Sequence, residues 1–84
     1  MSASEQRRVA KAFGIVRRAV RRHVGISQEH LAEIADIDRT YPSLLERGMR
    51  QPAIGRIIAI AGALRIEPGK LVTMTVARLR GDES

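Results

Sequence analysis

The chain has 84 residues, 44% of them hydrophobic, with one Phe, one Tyr and no Trp, so its single small core must be built from aliphatic side chains, which suits packed helices. It has no cysteine, which excludes a disulfide scaffold and a thiolate metal site. The net charge of +6 falls entirely within residues 1–25, where Arg7, Arg8, Lys11, Arg17, Arg18, Arg21 and Arg22 face Glu5 alone.

In chain order, Val9, Ala12/Phe13, Val16, Ala19/Val20 and Val24 recur three and four residues apart. They form one apolar stripe that predicts a helix over 4–24, and Gly25 is placed to end it. Gly14 interrupts the stripe at a cost of about 1 kcal/mol against Ala, which close approach by a neighbouring helix would explain. Ser27 can cap a second helix over 27–35, with Glu29 in its first turn and Leu31, Ile34 and Ala35 on its buried side. Asp36-Ile37-Asp38 reads as a tight turn. Asp36 tolerates the left-handed conformation, Ile37 plugs the core and Asp38 caps a third helix over 39–47, closed by Gly48.

Met49 to Gln51 form a basic loop that ends at Pro52. Ile54, Ile57, Ile58, Ala61 and Leu64 then mark a strongly buried fourth helix over 53–64. Pro68 can occupy the first position of a fifth helix over 68–80, leaving 81–84 as a frayed tail. The β-branched run 71–76 could also alternate as a strand, but it would have nothing to pair with, so helix is preferred. The expectation is an all-α single domain over 1–84.

Two short helices joined by a three-residue turn form the helix-turn-helix unit. The residues Ser27, Gln28, Leu31, Ala32, Ile37, Asp38, Leu45, Glu46, Gly48 and Pro52, together with Phe13-Gly14 and Arg17/Arg21, closely resemble the phage repressor and Cro (Xre) family over residues 12–72. The resemblance implies a five-helix repressor-like bundle with helix-turn-helix at helices 2 and 3. It also implies a transcriptional regulator that binds double-stranded DNA sequence-specifically, as a homodimer on a palindromic operator. In that family the positions of Arg39, Thr40, Ser43 and Leu44 reach base edges, with Arg39 suited to a bidentate contact to guanine. Gln28, Tyr41, Arg47 and Arg50 would hold the DNA backbone, joined by Arg17 from the basic first helix. The resemblance further implies an ion pair between Arg21 and Glu46.

Three positions depart from the pattern. Pro42 replaces the usual Ile or Val and, counted from an Asp38 cap, forfeits a regular hydrogen bond, so the third helix should start late or loosely. Asp36 replaces a turn glycine. Ala53 replaces a Ser or Thr cap, a change worth about 1 kcal/mol.

No enzyme is expected. His23 and His30 lie on different helices without carboxylates at ligand spacing, and Ser27 is committed as a cap, so neither a metal, a cofactor nor a catalytic residue is assigned. On the fifth helix Leu71 and Thr75 continue the core stripe. Val72, Val76 and Leu79 form a second stripe at i, i+4, i+7 that reads as a dimer seam. The expected partners are duplex DNA and a second copy of the chain.

A one-sided positive field also suits an anionic membrane or a carboxylate-rich protein. A membrane partner is not expected: the start lacks the apolar stretch of a secretory signal and Ile57–Leu64 is too short to span a bilayer, which points to the cytoplasm. The alternative function is a protein-interaction module on the same fold, antiactivator or antitoxin-like. Another regulatory protein would be its partner, and Pro42 would have spoiled the DNA-reading helix.

Overall fold

The computed structural model describes residues 1–83, and among these there are five helices and no strand. They are α1 (Ala3–Val24), α2 (Gln28–Ala35), α3 (Tyr41–Glu46), α4 (Ile54–Leu64) and α5 (Pro68–Glu83). Ser2 and Glu5 start α1 with a reciprocal capping box, and Gly25 ends it in the left-handed conformation at φ 86°. The long α1 lies across α3 and α5, while α2 packs on α4. Between them sits a largely aliphatic core of residues such as Val16, Leu31, Leu45, Ile60, Leu64 and Leu71, with the aromatic Phe13 among them. Among the described residues no helix is long and apolar enough to cross a membrane.

Gly14 is buried where α1 crosses α3: a Cβ there would stand 2.9 Å from the Glu46 nitrogen and 3.0 Å from its Cα. The two backbones touch because no side chain intervenes. The turn between α2 and α3 holds Asp36 at φ 53°, and Ile37 is buried with its N–H donating to the Ala32 carbonyl at 3.0 Å.

Several elements differ from the sequence expectation. The third helix spans 41–46 rather than 39–47: it starts late, as Pro42 predicted, and Thr40 rather than Asp38 is its N-cap, without a side-chain bond. The fifth helix continues through 81–83, the segment expected to fray, and Ser84 lies outside the described residues. Residues 71–76, by contrast, are helical as preferred, despite their β-branched character. The Thr73 and Thr75 hydroxyls donate to the carbonyls of Gly69 and Leu71 one turn back, each at 2.9 Å, and so satisfy themselves without leaving the helix.

Ile34, expected inside, is 52% exposed, and the expected strongly buried α4 leaves Ile54 at 77% and Ile58 at 54%. The core is sealed by Leu31, Ala35, Ile60 and Leu64, so these isoleucines lie beyond its width. Ala53 precedes α4 without a side-chain cap.

Candidate nucleic-acid interface

The Asp38 carboxylate accepts the Thr40 N–H at 2.8 Å and the Thr40 hydroxyl at 2.6 Å, while its carbonyl accepts the Tyr41 N–H at 3.0 Å. Those bonds to Thr40 hold the Asp38 carboxyl below the usual carboxylate range. Arg39 and Thr40 are thereby set in a turn ahead of α3, and Pro42 falls in the first helical turn. An N–H in that turn has no intrahelical acceptor, so Pro42 forfeits no bond, and its ring is buried.

This arrangement presents Arg39, Thr40 and Ser43 at the exposed leading end of α3, with Leu44 half-buried behind them. The Arg39 side chain, 80% exposed, meets Glu29 at 3.1 Å, a solvated pair worth little to stability. Thr40, Leu44, Arg50 and Arg56 line one shallow groove. Arg47 follows α3 as its exposed C-cap, and Arg50 is exposed on the loop beyond.

At the start of α2 the Ser27 hydroxyl accepts the His30 N–H at 3.0 Å. Gln28, half-buried, directs its Oε1 inward, where it accepts from Arg17 Nη1 at 2.9 Å. Arg17 Nη2 donates to Glu46 Oε1 at 3.2 Å, so one guanidinium joins α1, α2 and α3. This side chain has no exposed surface. Burial pulls the Arg17 pKa below its ordinary value, opposed by the Glu46 carboxylate and abetted by Arg21 and Arg18.

Two sequence assignments are corrected here. Arg17 is not placed to hold DNA backbone, since nothing of it reaches solvent. Glu46 pairs with Arg17 rather than Arg21. Gly14 rests on Glu46 itself, and Arg17 lies one turn from Gly14, whereas Arg21 lies two turns away beside the α1–α2 joint. There Arg21 Nη1 donates to the Ile26 carbonyl at 2.8 Å.

A third correction concerns Tyr41. Its hydroxyl is buried without a partner, so it does not point out to a phosphate; burial pushes the phenol pKa up. Its ring lies 5.4 Å from the Arg56 guanidinium. Arg56 also donates to the Asp36 carbonyl at 3.0 Å, tying α4 to the turn. Sequence reasoning missed Arg56, whose only signal was a cation in the first turn of an otherwise apolar helix. It also missed the seating of the loop on α1, where the Gln51 amide donates to the Gln6 carbonyl. On α5, Val72 and Val76 are exposed and Leu79 half-buried. No group of His, Asp and Glu among the described residues could hold a metal ion.

Comparison with known proteins places these features in a family. The helix-turn-helix family model matches residues 18–71. The control protein C.BamHI of Bacillus amyloliquefaciens is 42% identical over 50 residues, covering 60% of this chain and 62% of its own length, so the match spans less than two thirds of that relative. The restriction-modification controller protein C.AhdI from Aeromonas hydrophila is 40% identical with a TM-score of 0.68, over 74% of this chain and 94% of its own. The clp gene regulator ClgR from C. glutamicum, at 23% identity and a TM-score of 0.75 over 82% of this chain and 90% of its own, shares the fold. With more than half its length under that family model, the chain belongs to the helix-turn-helix family, of the phage repressor and Cro (Xre) type.

Proposed function

We propose that the chain is a transcriptional regulator that binds double-stranded DNA sequence-specifically, as a homodimer on a palindromic operator, in the cytoplasm. The observation that carries this reading is the leading end of α3. Arg39, Thr40 and Ser43 stand exposed there, flanked by the capped start of α2 and by the Arg50 loop. A short helix end bearing a guanidinium and two hydroxyls can enter a major groove, while elements on either side take the phosphates.

In this reading Arg39, Thr40, Ser43 and Leu44 meet base edges. Arg47 and Arg50 meet backbone, and Gln28 donates its free amide N–H outward while Arg17 holds its oxygen. Pro42 had favoured the protein-interaction alternative, but it sits in the first turn of an intact helix, which supports the DNA reading instead. Val72, Val76 and Leu79 would meet their copies across a two-fold axis and set two reading ends about one DNA turn apart. The likeness to the restriction-modification controller C.AhdI suggests restriction–modification genes as the regulated class.

Selection of binders from random duplexes tests the proposal. Enrichment of one inverted repeat is the expected outcome, and a pool that yields no recurring sequence would refute it.

A further inference from the structure

Arg7, Lys11, Ile15, Arg18 and Arg22 succeed one another at steps of three and four along α1, so they share one helix face, and all five are exposed. The row extends roughly 22 Å along the axis at 1.5 Å per residue. None of its four cations has an ion-pair partner among the described residues. Its amino end adjoins the loop that carries Arg50: Arg7, Gly48 and Arg50 line one recess, and a Cβ on Gly48 would stand 3.0 Å from both the Arg7 carbonyl and Lys11 Cγ. Its carboxyl half borders the end of α3, where Ile15, Arg18 and Arg22 share a recess with Glu46. That carboxylate is already engaged by Arg17.

The row is unfavourable in the free protein. Arg7/Lys11 and Arg18/Arg22 are like-charged pairs at i, i+4, which mildly weaken a helix. An extended polyanion beside the row would remove that cost. In the proposed complex the DNA strand held by Arg50 would bring such charge to the amino end of the row, where Arg7 and Arg50 share a recess.

We propose that this face of α1 is a second DNA-backbone surface. Arg7 and Lys11 would extend the strand contact begun by Arg50, and Arg18 and Arg22 would take phosphates bordering the half-site. The inference rests on the proposed DNA-binding function and goes beyond it by assigning contacts outside the helix-turn-helix. It also reassigns the role expected of Arg17 to neighbours that reach solvent.

The test uses the full chain and a duplex that carries the selected operator with flanking sequence. Arg7→Gln/Lys11→Gln and Arg18→Gln/Arg22→Gln are compared with wild type by equilibrium titration from about 50 to 200 mM salt and by dissociation rate. Each double variant should lose about 0.9 from the log–log salt slope per lost phosphate contact and dissociate faster, with base preference unchanged. Thermal unfolding should show the variants folded and no less stable, since like-charge repulsion is relieved.

Slopes and dissociation rates equal to wild type would overturn the proposal. So would slower association alone, because the row would then steer without touching. A wild type that binds no duplex would overturn the proposed function as well, which separates the two failures.

Discussion

Arg17 and Glu46 stand 29 residues apart in the chain and meet at 3.2 Å, the guanidinium wholly buried and the carboxylate 31% exposed. Removing one partner of a buried pair leaves the other charge unpaired, whereas replacing the charge by an apolar group of similar volume removes its desolvation penalty too. Glu46→Gln should therefore destabilise the fold by about 3 kcal/mol, and Arg17→Met by clearly less. Urea denaturation of both variants checks this; equal losses would contradict it.

At the Gly14 crossing, Ala should lower stability although it is the better helix former. The helix propensity gain is about 1 kcal/mol, but the new methyl meets Glu46 backbone that cannot rotate away, a clash of about 1–3 kcal/mol. Since the displaced element is α3, operator affinity should fall further than stability explains. A thermal melt and a titration on one preparation decide the point.

The turn ahead of α3 is pH-sensitive in a defined direction. Asp38 ionises lower in the folded chain than the usual carboxylate value of about 3.9, because its charged form accepts two bonds from Thr40. Its contribution is fully present above about pH 4 and fades as pH falls through the folded value. The stability difference between wild type and Asp38→Ala should shrink on acidification below that point. A difference that widened there would refute the assignment.

The Val72, Val76 and Leu79 seam predicts that Val76→Asp shifts a dimer to monomer, read as solution mass by sedimentation. A wild type already monomeric at tens of micromolar would remove the seam from consideration.

Arg39→Ala and Arg50→Ala should fail differently. Loss of a bidentate base contact relaxes preference at one operator position by about 1–3 kcal/mol. Loss of a phosphate contact weakens all sequences alike and lowers the salt slope by about 1. Identical behaviour of the two variants would cancel the division of roles between them.

Much of this architecture was legible in the chain because local signals and core periodicity agreed. Gly14 marked a helix crossing, Asp36 the left-handed turn and Ser27 a cap, each through a conformational need that few residues meet. The illegible parts depend on distance in space rather than in sequence. Arg17 and Arg21 occupy the same face of α1 one turn apart, and only the position of Gly14 against Glu46 decides which of them meets the carboxylate. The register of α3 depended likewise on Asp38 bonding two residues ahead, which moved Pro42 from an interior position to a tolerated one. Arg56 had no pattern to announce it, since its partners Asp36 and Tyr41 belong to other elements.

A side chain where the joint between α2 and α3 commonly has glycine has one further consequence. Asp36 at φ 53° has fewer conformations to surrender than glycine would, and Arg56 clamps its carbonyl from the opposite helix. The joint is thereby restrained at both its backbone and its carbonyl, so in the proposed function little ordering would remain for association. A stiff probe discriminates by misfit. In the proposed function it would not remould itself around a wrong sequence, and the geometry of the joint would help to reject errors.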